Sequence, residues 1–551
     1  MQMFLGDWLH RRALLTPEKI ALFDAEANMA PITYRAWDEA AGRTANLLRS
    51  LGVQQGDRVA VLSLNCVAYL DIWFACAKLG AIMQPLNYRF TVAELAALLN
   101  DATPTVLIYG AEYAEVAEQL STQPSSLRYW VAMGEQEGGR KDEEGGMKDE
   151  GAEKAGAESA TSFPHPSSLI LPPSSFLPHP SSLRLLSQRD QFPAEIAPVE
   201  LKWDDPWVIC YTGGTTGTPK GAVLTHGNIG ANAINTVTGW GLTPDDVAVL
   251  NAPLFHTGGI NVFTAPLVLI GGCSIVCKGF DVEQVFDLIE RAGVTLYFGV
   301  PTTYIAIQHH PRWEHADFSR LKLVISGGAP CPMPIFQAFW RRGIDFKTGY
   351  GLTEAGPNTF CLPAADVQRK PGAVGFPLFY VDLKLIDPVG RELGPGEIGQ
   401  LLIRGPHVCR GYWGRPEETA RAIIDGWLHT GDLAIRDSEG YYTIVGRLKD
   451  VIISGGENIY PAEVESVLAS HPAVAEVALI TAPDPRWGEV GWAVTVPRPG
   501  QQIDSADILA FAGERLARYK LPKQVIIADA LPKTAAGKVD KQTLVRVHVK
   551  K

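Results

Sequence analysis

The amino-acid sequence predicts an α/β protein with largely parallel sheets, followed by a small α+β unit. Three observations carry this. Short apolar runs alternate with segments of helical period along most of the chain. A glycine- and threonine-rich stretch, 212–221, leaves one of those apolar runs directly. The C-terminal part of the chain, beyond about residue 450, has its own, more closely spaced strand and helix pattern.

Residues 57–64 read as a strand and 68–79 as an apolar helix. An amphipathic helix over 92–100 leads into a strand at 105–109, and 207–211 reads as a buried strand. A helix at 282–292 and strands at 295–298, 321–326 and 344–346 continue the alternation. In the terminal unit, 461–470 is helical, with Pro461 at its start and Val464, Val467 and Leu468 on one face. Strands at 474–481 and 492–496, a helix at 506–519 and a strand at 524–528 follow.

Residues 134–190 break the pattern. GGRKDEE (138–144) is echoed by GGMKDEG (145–151), and HPSSLIL (165–171), PPSSFLP (172–178) and HPSSLRL (179–185) repeat in turn. The prolines exclude a heptad coiled coil, and too little apolar surface recurs to build a core. A low-complexity, disordered insertion is expected there.

The 551 residues exceed what one compact core organises. A net charge of −11 argues against a nucleic-acid binder. The eight cysteines show no paired or zinc-like spacing, which predicts reduced thiols. The most apolar stretches are interrupted by Asn65, Asp71 and Lys78, or by Gly271-Gly272, so no transmembrane segment is expected. With no secretion signal at the N-terminus, the expected location is cytoplasmic; peripheral membrane contact and a homodimer stay open.

The chemistry concentrates in Thr212, Gly213, Gly214, Thr215, Thr216, Gly217, Thr218, Pro219 and Lys220. Glycines let backbone N–H groups approach an anion, threonines add hydroxyl donors and lysine adds charge, a combination suited to phosphate. Pro219 before Lys220 excludes the Walker pattern. By composition alone an ordinary surface turn is the lesser alternative for this stretch. Four further motifs follow: GYGLTE (349–354), GWLHTGD (426–432), GRLKD (446–450) leading into SGGEN (454–458), and LPKTAAGK (531–538).

With these motifs in order, the chain resembles the adenylate-forming superfamily of acyl-CoA synthetases, luciferases and peptide-synthetase adenylation domains, over about 10–545 apart from the insertion. The resemblance implies a large N-terminal α/β domain, 1–446, with two helix-flanked sheets and a β-rich part. A small mobile C-terminal domain, 447–551, would follow a hinge near Lys449. ATP, Mg²⁺ and coenzyme A are the implied cofactors and partners, with a carboxylic acid as substrate. The loop 212–220 would hold phosphates. Glu354 with Thr215 would hold Mg²⁺, and Thr353 would contact phosphate. Gly328, Ala329, Pro330, Tyr350 and Gly351 would line the adenine side, with Asp432 and Arg447 on the ribose. Lys538 would act in adenylation, while Gly455, Gly456 and Glu457 would approach the pantetheine channel.

His256 lies in the stretch that builds the acyl pocket in this superfamily. No acid occurs between Leu254 and Phe280, which disfavours an amino-acid substrate. The segment 440–535 looks most like fatty-acyl-CoA synthetases, so a medium- or long-chain fatty acid is the leading expectation. Aryl acids such as coumarate or benzoate are the alternative, and a non-catalytic nucleotide-binding relative is a distant third.

Overall fold

Runs rich in Val, Ile and Leu form the centres of two mixed seven-stranded sheets in the computed structural model, which describes residues 7–134, 183–212, 219–534 and 539–549. The first sheet has the order Leu183–Leu185, Tyr129–Met133, Val106–Gly110, Arg58–Leu62, Ile82–Pro85, Pro206–Thr212, Lys220–Thr225. The second runs Phe346–Thr348, Leu323–Ser326, Leu296–Gly299, Val247–Leu250, Cys273–Val276, Ile20–Asp24, Ala30–Thr33. Neighbours are parallel in both, except for the antiparallel final pair of each. Strand Val106–Gly110 is buried along its whole length, as a central parallel strand with both faces covered has to be.

Helix Val67–Leu79 explains how the sheets join. Every residue from Tyr69 to Leu79 is buried, and a helix apolar all round belongs inside a core. Trp73 stacks on Trp207 of the first sheet with ring centroids 4.6 Å apart, and the Trp207 indole donates to the Trp73 carbonyl at 3.0 Å. The same cluster takes Val59 and Met83 from the first sheet and Leu22, Leu250 and Val276 from the second. The polar breaks in this helix are neutralised: Asp71 accepts from Arg189 at 2.6 Å, and Lys78 meets Asp7 at 2.6 Å and Asp38 at 2.5 Å. No helix among the described residues is long and apolar enough to cross a membrane.

That Arg189 contact corrects the extent of the expected insertion. Residues 183–190 belong to the packed domain: Leu183–Leu185 extends the first sheet and Leu186 enters the core. Arg189 and Leu186 anchor a stretch whose composition resembles the repeats before it. Residues 135–182 lie outside the described residues.

Two other elements shift. The strand expected at 344–346 is Phe346–Thr348, because the end of helix Met333–Arg341 uses Ile344: its N–H donates to Phe339 O, with Gly343 at φ +72° in the turn. The helix expected over 506–519 ends at Gly513. The chain then turns, so that Leu516 and Leu521 pack on the small domain's core and Lys520 reaches Glu463 at 2.6 Å.

After the second sheet comes a five-stranded antiparallel sheet containing Asp382–Ile386, Ile398–Arg404, Trp427–Arg436 and Tyr442–Arg447. The smaller C-terminal domain is built on the long hairpin Val474–Asp484 and Gly488–Pro497, joined by Ile452–Ser454, Glu457–Ile459 and Gln524–Ile527. All eight thiols are free, in line with the expectation of reduced cysteines.

Two histidines are completely buried with neither ring nitrogen hydrogen-bonded among the described residues: His226, stacked on Trp207, and His407. Burial pushes each imidazole down to about 4 from the usual 6.5. The unfolded chain therefore binds these protons first, so the stability is complete above about pH 6.5 and is lost as pH falls toward 4. The loss is roughly 3 kcal/mol per histidine. Denaturation midpoints between pH 7 and 4.5 should fall less steeply in a His226→Phe, His407→Leu variant than in the native chain.

Candidate active site

Parallel strands deliver their C-terminal ends to one edge of a sheet, the usual ligand side. In the second sheet the loops after Leu296–Gly299, Leu323–Ser326 and Phe346–Thr348 meet there. Gly327 N donates to Gly299 O at 3.0 Å and Gly349 N to Ser326 O at 2.7 Å. Gly328 takes φ +80°, and Gly328, Ala329 and Pro330 are exposed. Gly351 is obligatory, since a Cβ there would lie 2.1 Å from Pro357 O.

From this edge the turn 349–354 reaches two clusters. In the first, Thr212 and Lys220 are cross-strand partners at the base of a hairpin. The Thr212 hydroxyl donates to Glu354 Oε1 at 3.4 Å, and the Tyr412 hydroxyl donates to the same oxygen at 3.0 Å. The Lys220 ammonium sits 5.3 Å from the centre of the Tyr412 ring. Thr353 is buried beside Cys210. The hairpin tip, Gly213, Gly214, Thr215, Thr216, Gly217 and Thr218, lies outside the described residues.

In the second cluster, the Tyr350 hydroxyl donates to Asp432 Oδ2 at 2.6 Å, and Arg447 Nε meets Asp432 Oδ1 at 3.1 Å. Asp432 and Arg447 are cross-strand neighbours, so the sheet itself sets their pairing. Burial and the adjacent Asp432 charge hold the Tyr350 phenol far above its ordinary range, so it stays a donor. Its ring is half-buried, edge-on to Phe360 at 5.7 Å.

The remaining expected residues stand apart. His256 is exposed, and its Nδ1 accepts from Gly258 N at 3.1 Å, capping the turn Thr257–Gly259. Lys449 is exposed two residues beyond Arg447. Gly455 and Gly456, at φ +62° and +90°, turn Ile452–Ser454 into Glu457–Ile459, and Gly455 donates to Trp487 O at 2.8 Å. Among the described residues no hydrogen bond or ion pair ties Gly455, Gly456 or Glu457 to either cluster. Lys538 lies outside the described residues, though its flanks are joined by a bridge between Lys533 and Val539.

Behind His256, a π-helical turn, Ile260–Thr264, precedes Pro266. Proline offers no N–H, which orphans carbonyls one turn back. Asn358 Nδ2 supplies the missing donor to Val262 O at 3.0 Å, and Asn232 Nδ2 donates to Asn261 O at 2.8 Å. The sequence reading missed Asn232, Asn358 and Tyr412. The one available signal was Pro266 inside an apolar helical run, which demands polar partners from elsewhere.

The fold and the two clusters define an AMP-binding enzyme: the family model of AMP-binding enzymes matches residues 9–413, and that of their C-terminal domain matches 463–538. The chain belongs to this family. It is 42% identical over 535 residues to the feruloyl-CoA synthase of an Amycolatopsis species, covering 97% of each chain. It is 34% identical over 551 residues to the long-chain-fatty-acid–CoA ligase FadD13 of Mycobacterium tuberculosis, covering 98% of this chain and 97% of the relative. The ATP-bound crystal structure of MatB from Rhodopseudomonas palustris superimposes with a TM-score of 0.83 at 31% identity, covering 99% of both chains.

Proposed function

We propose that this chain is an AMP-forming acid–CoA ligase whose preferred acid is aromatic. The acid's carboxylate attacks the α-phosphorus of ATP and expels pyrophosphate, leaving an acyl-adenylate. The thiol of CoA then attacks the acyl carbon, expels AMP and passes its proton to solvent. Two anions must meet in the first step, so the protein's main work is positioning and neutralising charge.

The arrangement fits these tasks. Thr212 and Tyr412 both engage Oε1 of Glu354, which orients the carboxylate with Oε2 for a cation. Mg²⁺ held by Glu354 and Thr215 would screen the phosphates from the incoming carboxylate. Each Asp432 oxygen has one protein donor and a remaining lone pair for a ribose hydroxyl. Lys220 and the loop above it would hold the β- and γ-phosphates, and Thr353 would add a phosphate contact. The loop 328–330 and the Tyr350 ring would flank adenine, and Lys538 would bridge the reacting carboxylate and phosphate.

The choice of acid rests on the similarity to feruloyl-CoA synthase, 42% identical over 535 residues. A recess in the second sheet, lined by Val249, Ala252, Gly258, Val262, Phe263 and Phe298 among others, has a volume of about 10 Å³, room for about one water, so either kind of acid needs its walls to move. The fatty-acid reading is supported by the likeness to FadD13. Incubation with ATP, Mg²⁺ and CoA against ferulate, coumarate, benzoate, octanoate and palmitate decides, with acyl-CoA measured by mass spectrometry. The aromatic acids should give the higher kcat/KM; thioester from the fatty acids alone would reverse the assignment.

Both half-reactions would share one site, with the C-terminal domain turning about Lys449 to bring Gly455, Gly456 and Glu457 to the thiol entrance beside His256. Lys449→Pro should then slow thioester formation from supplied acyl-adenylate at least tenfold more than it slows adenylation. Equal losses in the two assays would remove the hinge from Lys449.

A further inference from the structure

The segment 409–415 lies along the hairpin that carries the Gly/Thr loop and grips it on both faces. Val223 N donates to Gly411 O at 2.9 Å, Arg410 N to Val223 O at 3.0 Å and Trp413 N to Gly221 O at 2.8 Å, so the segment runs beside Lys220–Thr225 like a further strand. Its first residue is tied to the Glu354 turn, with Cys409 N donating to Glu354 O at 2.7 Å. Successive side chains on the hairpin strand point to opposite faces. On one face, Tyr211 donates to Asp101 Oδ2 at 2.7 Å, and Arg415 donates to Asp101 Oδ1 at 2.9 Å. On the other, Thr212 and Tyr412 converge on Glu354 Oε1.

We propose that Tyr412 is a positioning residue for the metal-binding carboxylate: it fixes Glu354 Oε1 so that Oε2 is presented to Mg²⁺ bound with ATP. The inference rests on the functional reading above. The Thr212 contact, at 3.4 Å, is long for a hydroxyl donor and cannot hold the rotamer alone. The phenol, at 3.0 Å and donating to a charged acceptor, is the stronger restraint. Lys220 over the face of the same ring links this restraint to the base of the phosphate loop.

Tyr412→Phe removes only the hydroxyl and keeps the ring under Lys220. Titration calorimetry would measure ATP affinity with and without Mg²⁺ for the native chain, Tyr412→Phe, Glu354→Gln and the double variant. A thermal melt of each would verify the fold. In Tyr412→Phe, the gain in ATP affinity brought by Mg²⁺ should shrink about tenfold, the usual consequence of losing a hydrogen bond to a charged group. Metal-free affinity should stay unchanged. In the Glu354→Gln background the same change should cost nothing more, since its effect passes through that carboxylate. A native Mg²⁺ response in Tyr412→Phe would overturn the proposal, as would losses that multiply in the double variant. A native chain that binds no ATP would overturn the functional reading and this inference with it. ATP binding without thioester from any acid would count against the ligase reading and leave the Tyr412 comparison decisive.

Discussion

Lys538→Ala is expected to slow acyl-adenylate formation by about 10²–10³, the usual cost of deleting one preorganised donor aimed at developing charge. Pyrophosphate exchange would measure it. Thioester formation from supplied acyl-adenylate and CoA should stay within a few-fold of native if the lysine acts only in the first step, as proposed. The fold should survive. The bridge between Lys533 and Val539, the bond from Asp540 N to Pro532 O at 2.8 Å and the Asp540 cap on helix Lys541–His548 close the segment without it. Near-native adenylation by the variant would remove Lys538 from the mechanism.

Glu354→Gln should cost about 10² in adenylation and sharply raise the Mg²⁺ concentration needed for half-maximal rate. The amide oxygen can still accept from Tyr412, so the turn keeps its shape while the charge disappears. A loss of rate with an unchanged Mg²⁺ requirement would mean that Glu354 supports the loop without holding the cation.

Local signals were enough for much of the fold. The central strands have short apolar runs because both faces are covered, and helix Val67–Leu79 is legible for the same reason. Elements whose limits depend on distant partners were less legible. Gly343 does mark the end of the helix before Ile344, a signal the expected strand overran, whereas nothing near Leu516 announces that it turns inward.

The site divides likewise. Asp432 and Arg447 stand in recognisable motifs, and the antiparallel register brings them together. Tyr412 acts from 58 residues beyond Glu354, and Asp101 meets Arg415 across 314 residues. Single-sequence periodicity carries no trace of such contacts. Leu183 to Asp190 misled the reading because composition describes a neighbourhood, whereas Arg189 is placed by one buried carboxylate.

The pairing of Tyr129–Met133 with Leu183–Leu185 also limits how this chain can change length. The two strands run in the same direction, so the chain leaving Met133 must travel back along the strand before it can enter Leu183. A tight turn cannot make that return; parallel partners need a connection of about a dozen residues or more. Above that floor the strand pairing itself sets no limit on the length of the connection. Below it the edge strand would detach, Arg189 would leave Asp71, and a buried charge would stand alone in the core.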